Sequence, residues 1–564
     1  MYVATVPNRR SKPAVLLRES YREDGRVKNR TLANLSKLPP HAIDALRRVL
    51  RGETLVAPDE AFEIESSAQH GHVQAIMTAV RRLGLDRMIS KQPCRERDLV
   101  LGMLAARIIA PSSKLETTRW WSGTSLPGTL GIQDADEEEL YKAMDWLLDQ
   151  QPLIEKRLAS RHLKPGAFVL YDLTSTWVEG TTCPLAARGY SRDGQKDKLQ
   201  INFGLLTDDE GHPISVSVYA GNTADPATVK DQVKKLKEDY GLEMVVFVGD
   251  RGMVTETQVE HFLDHDVEWI TALKSGGIRK LKTEGSLQLG LFDDKNLFEF
   301  ESEHYPGERL VACRNPDLAT LRAKKRTALI DATKTEIEKI QRSVLRGRLV
   351  DRAEIGLRVG RIINKYKVAK HFKLEIAEGV LKYRVRSDRV RAEGALDGIY
   401  VIRTSVPEDY MSADDVVRHY KRLAHVERAF RSMKTVSLRV RPIYHRLENR
   451  VRAHIFLCML AYYVERHMRR AWAPMLFAEE RDQVPDRDPV VAAKPSLRAR
   501  EKAASKTTAD GLPAHSFSSL VAHLGGVVQN FCRRPGAPTT EPAFVMQTRL
   551  DAVQTRALEL LAAL

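Results

Sequence analysis

The apolar and polar positions divide this chain into stretches of different texture. From residue 70 to about 165 the apolar side chains return every three or four positions, as in HVQAIMTAVRRLGLDRMI and RDLVLGMLAARIIA. That is the spacing of helices with one buried face. Pro111, Pro127 and the segment GTSLPGTLG break the runs. ELYKAMDWLLDQQPLIEKRLASRHL extends the helical pattern. The texture then changes. AFVLYDLTSTW is a dense apolar run, and KLQINFGLL and PISVSVYAG read as strands joined by the turn signal TDDEGH. DPATVKDQVKKLKEDYG reads as a helix opened by a capping Asp and closed by Gly. EMVVFVGDRG predicts a strand, TETQVEHFLDHD a helix and VEWITALK a strand. A long stretch of mixed charge follows, before DGIYVIRT, another strand.

The stretch HYKRLAHVERAFRSMK, His419 to Lys434, reads as a single helix. Val416, Tyr420, Leu423, Glu427 and Phe430 fall at spacings of four, three, four and three, with Lys434 closing the stripe. A glutamate therefore stands on the predicted core face. Lys421, Arg422, Arg428 and Arg431 crowd the flanks.

Composition narrows the class. The chain has 564 residues, room for about three to four domains. It is 43% hydrophobic and 29% charged, which supports folded cores and excludes global disorder. A net charge of +15 points to a polyanionic partner, most simply nucleic acid, with an anionic membrane surface as the rival. The longest apolar run, IFLCMLAYYV, is too short to span a bilayer, and no charged-then-apolar leader is read. The expectation is a cytoplasmic protein. The five cysteines (Cys94, Cys183, Cys313, Cys458 and Cys532) are isolated, which argues against a disulfide framework or a cysteine zinc site. AVLLRESYREDGRVKNRTLANL predicts a hairpin turning at Asp24-Gly25. With Arg9, Arg10 and Lys12 beside it, it is either a solvated hairpin or a DNA-contacting arm. Beyond Arg470 a Pro-, Ala- and charge-rich piece reads as linker, followed by a short helical C-terminus.

Asp172 and Asp250 each end an apolar strand, and in open sheets ligands gather at the carboxyl ends of strands. A lone Asp after a strand is more often a turn former or cap. Glu427 alone could be exposed through a different helix phase, or held in an ion pair. Together, three carboxylates at one place repel, and a hard divalent cation relieves them. An all-oxygen set, with no His or Cys cluster read from the spacing, suits magnesium or manganese. Two such ions about 4 Å apart serve phosphodiester chemistry. Arg192, Lys196 and Lys198 in GYSRDGQKDKLQ belong to a solvated loop or contact DNA, and Trp177 to the core or to a stacked base.

YKRLAHVERAFRSMK resembles the Y-x2-R-x3-E-x6-K signature of bacterial insertion-sequence transposases of the DDE type, insertion-sequence family four and its relatives. Tyr420, Glu427 and Lys434 match; Leu423 stands at the arginine position, with Arg422 and Arg428 as basic neighbours. LYDLTST, GNTAD and VGDRGM are similar to the family's motifs around the two aspartates. The resemblance runs from about residue 165 to 465 and includes the basic hairpin. It implies an α/β fold: a ribonuclease H-like mixed sheet with helices, interrupted by an insertion domain, plus a helical N-terminal region and a small N-terminal β module. The implied boundaries are 1–60 for the hairpin module, 61–165 for the helical region and 166–280 for the first part of the core. The insertion comes next at 281–395, then the last strand and Glu helix at 396–470, and linker and tail at 471–564. The implied activity is cleavage and joining of element ends by two-metal phosphoryl transfer, with Asp172, Asp250 and Glu427 as catalytic residues and ligands of two Mg2+ or Mn2+ ions. Tyr420, Lys434, Arg428, Arg431, Lys198, Arg9 and Arg10 are the implied DNA contacts. Double-stranded DNA (terminal inverted repeats and target) and a second copy in a synaptic dimer are the implied partners, with no membrane, in the bacterial cytoplasm at the nucleoid. The other readings are a ribonuclease H-like nuclease without strand transfer and a catalytically silent DNA-binding protein derived from a transposase.

Overall fold

The computed structural model describes residues 1–9, 12–55, 61–292, 295–477, 488–491, 495–538 and 544–564. They form two compact units: Met1–Ala68 with Val528–Arg549, and Gln69–Val527 with Leu550–Leu564.

The first unit contains an antiparallel sheet of Tyr2–Val6, Ala14–Glu23 and Arg26–Asn34. The predicted turn is there: Asp24 and Gly25 both take positive φ, 53° and 76°, the backbone that a two-residue hairpin requires. A second sheet joins Glu63–Gln69 to Val528–Arg533 and Phe544–Gln547. Residues read as part of the tail thus pair near the start of the chain, held by an Arg533–Glu65 ion pair.

The second unit is built on eight strands: β1 (Ala167–Trp177), β2 (Gln200–Asp208), β3 (Pro213–Ala220), β4 (Val245–Gly249), β5 (Glu268–Ala272), β6 (Leu297–Phe300), β7 (Arg309–Arg314) and β8 (Ile399–Thr404). Their order across the sheet is β6-β7-β8-β5-β4-β1-β2-β3. β1, β4 and β5 run parallel, and the remaining neighbours are antiparallel. Strands covered on both faces need no polar alternation. β4, VVFVG, is buried throughout: Val246 and Val248 enter one core and Val245 and Phe247 the other.

β6 and β7 lie within the stretch read as an interruption, yet they extend the main sheet. β7 and β8 are separated by a segment of their own, residues 316–394. It comprises the helices Pro316–Leu345 and Arg352–Tyr366, the hairpin Phe372–Ala377/Val380–Val385 and a short helix, around a core of its own that includes Ile337, Ile355, Val359 and Leu381.

Four helices of the second unit carry side chains that bear on function: α1 (Glu137–His162), α2 (Ala413–Lys421), α3 (Ala424–Arg431) and α4 (Glu448–Ala471). Asp136 caps α1 by accepting the Glu139 N–H, and three glutamates fill its first turn, where the helix dipole favours them. IFLCMLAYYV lies inside α4, buried in the core rather than in a bilayer; among the described residues no helix is long and apolar enough to cross a membrane. The C-terminal helix Ala552–Ala562 returns to this core, where Trp472 donates its indole N–H to the Ala557 carbonyl at 2.9 Å.

Candidate active site

β1 and β4 are parallel neighbours, and Tyr171 stands opposite Gly249. Asp250 follows the end of β4, whereas Asp172, predicted at a strand end, lies within β1, which runs on to Trp177; the register sets the two aspartates side by side. The Asp172 carboxylate accepts the Leu173 N–H at 2.8 Å and is half-buried, whereas Asp250 is exposed. Burial raises the Asp172 carboxyl to about 7, and the charges of Asp250 and Glu427 add to the rise. The Leu173 N–H and the Arg192 guanidinium oppose it. All three predicted acids thus share one electrostatic neighbourhood.

The Glu-bearing segment is not the single helix predicted. α2 ends at Lys421 and α3 starts at Ala424. Between them His425 N–H bonds the Arg422 carbonyl and Val426 N–H the Leu423 carbonyl, the closer spacing of a 3₁₀ turn. Such a turn advances each residue about 20° further than an α-helix does. The apolar stripe shifts phase accordingly: Val416, Val417, Val426, Ala429 and Phe430 are buried, and Glu427 is exposed. The core face carries no carboxylate. Phe430 anchors α3 instead, edge-on to Phe203 of β2 at 5.5 Å. Tyr420 reaches the acids, its hydroxyl 3.5 Å from Asp250 Oδ1. Burial pushes the Tyr420 hydroxyl pKa up, Asp250 and Glu427 push the same way, and Arg251 opposes, so the phenol keeps its proton. Arg422, the neighbour of Leu423, pairs with Asp209 of the β2–β3 hairpin.

Lys434 does not share an exposed face with Glu427. The chain widens into a π turn over Ser432–Val436, and Lys434 is buried. Its ammonium meets Asp193 at 2.6 Å and donates to Thr174 Oγ1 at 2.9 Å. Arg441 pairs with the same Asp193 at 2.7 Å and lies 4.7 Å over the Trp177 ring. Three motifs acquire physical roles here. In LYDLTST, Thr174 holds Lys434 and Ser175 Oγ accepts the Arg192 N–H. In GNTAD, Asp225 pairs with the Arg192 side chain and keeps that cation near Asp172. VGDRGM supplies Asp250. Lys198 pairs with Glu179 at 2.9 Å. Arg428 and Arg431 are exposed on α3, and Arg9 is exposed in the N-terminal unit. Arg10 lies outside the described residues.

The spacing suggested no histidine cluster, but the structure assembles one. His162 ends α1, Asp208 ends β2, and His212 precedes β3. Ligand atoms of the three lie within 4.8 Å of one another, the single such trio of His, Cys, Asp or Glu among the described residues. Burial pushes the Asp208 carboxyl up, but hydrogen bonds from His162 and His212 override it and hold it below the usual carboxylate range. One signal was available: Asp208 and His212 bracket the tight hairpin TDDEGH and so had to stand side by side.

Asp172, Asp250 and Glu427 are not such a compact trio. The donors are all carboxylate oxygens, the set that suits magnesium or manganese.

Residues 168–464 match the family model of the transposase DDE domain. The match covers more than half of the chain, and the chain belongs to that family. Residues 3–60 match the N-terminal domain of IS1634 family transposases, which makes this an insertion-sequence transposase, a protein of DNA transposition and recombination. Comparison with curated proteins returns no match.

Proposed function

We propose that this transposase cuts and joins the ends of its element through a two-ion centre held by Asp172, Asp250 and Glu427, on a ribonuclease H-like core interrupted at residues 316–394. The observation that carries this reading is that Asp172 and Asp250 each follow the paired Tyr171 and Gly249 of adjacent parallel strands, under the charge of Glu427. Bound magnesium or manganese would polarise the scissile phosphate and stabilise the leaving oxygen. Asp172, which feels the charge of both other acids, would serve as the ligand common to the two ions. Tyr420 holds Asp250 in orientation, and Arg192 offsets part of the negative charge until the ions arrive.

Water attacks first and frees a 3′-hydroxyl, which then attacks target DNA or the opposite strand. No covalent protein–DNA intermediate is involved. Arg428, Arg431 and Lys198 would follow the phosphate backbone, and Arg9 and Arg10 would add to the hold on DNA. Lys434 acts through structure, fastening the turn after α3 to β1 and to Asp193. Two copies synapse two ends, in the bacterial cytoplasm at the nucleoid. The His162–Asp208–His212 trio does not cut DNA in this reading, because Asp208 and His212 are buried where no phosphodiester reaches them.

The test is strand transfer by the purified chain, with precut duplexes carrying the terminal sequences of its own element and magnesium. Joined products support the reading. Cleavage of uncut ends without any joining would replace it with a hydrolytic nuclease, and DNA binding with neither reaction with a silent binding protein.

A further inference from the structure

We propose that His162, Asp208 and His212 form a second metal site, of the zinc type, separate from the acidic centre. Nδ1 of His212 lies 2.8 Å and Nδ1 of His162 lies 3.4 Å from the same oxygen of Asp208, Oδ2. A tetrahedral zinc bound at 2.0–2.1 Å sets its ligand atoms about 3.4 Å apart. The His162 separation already has that value, and the His212 separation is that of a hydrogen bond whose proton a metal would replace. Two imidazoles and one carboxylate form a borderline donor set that selects zinc or a neighbouring transition metal over magnesium.

The surroundings are those of an oriented site. Nε2 of His162, the nitrogen facing away from Asp208, meets the Tyr463 hydroxyl at 3.0 Å. The other oxygen of Asp208, Oδ1, accepts the His212 N–H at 2.8 Å. Partners of this kind fix the tautomer and ring angle of metal-binding histidines. His162 and His212 stack with centroids 4.8 Å apart, and His467 of α4 stacks on His212 at 4.8 Å. Nε2 of His212 and Nε2 of His467 are buried without a hydrogen-bond partner. With Asp208 and two histidines engaged, a water completes the fourth position.

The site would join three elements. His162 belongs to α1, Asp208 and His212 to the β2–β3 hairpin, and Tyr463 to α4. The hairpin between the ligands touches the Glu-bearing segment as well. Asp209 pairs with Arg422, and Gly211, at φ 86°, lies so close to α3 that a Cβ there would fall 2.7 Å from that of His425. Asp208 stands opposite Val169, three residues before Asp172 on β1, roughly 10 Å along the strand. An ion here would brace the sheet and α3 from behind the acids without meeting DNA.

The experiment uses the full chain, stripped with a chelator and then dialysed against zinc alone or cobalt(II) alone. The expected result is about one zinc retained per chain, the visible bands of tetrahedral cobalt, and a higher unfolding temperature with zinc. Asp208→Asn and His212→Gln should lose the retained zinc at least tenfold, while Asp172→Asn and Glu427→Gln keep it. Circular dichroism checks that each variant is folded; the stoichiometry and cobalt spectrum of the unmutated chain decide the matter even where a variant is not. No retained zinc and no tetrahedral cobalt bands would overturn the proposal and leave the trio a hydrogen-bonded network. Equal retention by folded Asp208→Asn would overturn it too.

Discussion

Asp172 shows most clearly how one residue's setting becomes a measurable property. In the metal-free protein its carboxyl keeps its proton to about pH 7, because burial and two neighbouring acids disfavour the anion. In the unfolded chain the same group ionises near pH 4. Between these values the native state binds the extra proton, so stability falls as pH rises from about 4 to 7 and then levels off. The loss is bounded at about 4 kcal/mol and reduced by the water that reaches this half-exposed group. Asp172→Asn removes the titration. Without metal, the variant should unfold at a higher temperature than the wild type near pH 8 and at a similar temperature near pH 4; a wild type that stays more stable near pH 8 would contradict the raised carboxyl. The apolar runs drew attention to both aspartates, but only Asp250 stands at a strand end; β1 continues past Asp172 to Trp177, because Leu173–Trp177 keep pairing with β2. The core-face placement of Glu427 failed because its face is set by a 3₁₀ turn at Arg422–Val426 that a fixed helical period cannot represent. The His162 trio was hidden by separation, since nothing local connects the end of a helix at 162 to a hairpin beginning at 208.

At the scale of elements, the turn after α3 depends on buried polar pairs. Ser432 donates to buried Glu465 of α4 at 3.0 Å, and Lys434 and Arg441 share Asp193. Removing one member of such a pair leaves an uncompensated charge in the interior, at a cost of about 3–5 kcal/mol. Arg441 shields Asp193 in part, so Lys434→Met should destabilise by about 2–3 kcal/mol in denaturant unfolding. Lys434→Met with Asp193→Asn should lose less than the sum of the two single changes, by at least about 1 kcal/mol. Additive losses would mean that the pair is not coupled, and would return Lys434 to the role of a phosphate contact. The strands and their order along the chain were readable from apolar runs bounded by turn signals. The membership of β6 and β7 was not, because they reach the sheet through a β7–β8 pairing that spans the whole inserted piece. Long-range pairing of that kind leaves no local pattern.

For the whole molecule, the excess positive charge has to act on DNA through identifiable groups. Neutralising Arg9, Arg10 and Lys12 together should weaken DNA binding and lower the salt slope by about 0.9 for each phosphate that the arm had neutralised. A slope unchanged in gel-shift titrations would mean that the N-terminal module does not touch DNA. The hairpin of that module was legible because Asp24-Gly25 fixes its turn. The second sheet of the unit was not, since it is closed by a segment from the far end of the chain. The central claim is that three acids separated in sequence make one cutting centre. The most direct test is magnesium-dependent cleavage of a duplex carrying the element's end, measured with gel-shift affinity on the same duplex for Asp172→Asn, Asp250→Asn and Glu427→Gln. Each variant should bind as the wild type does and cleave at least a hundredfold more slowly, roughly 3 kcal/mol in barrier. Wild-type cleavage by Glu427→Gln would contradict the account.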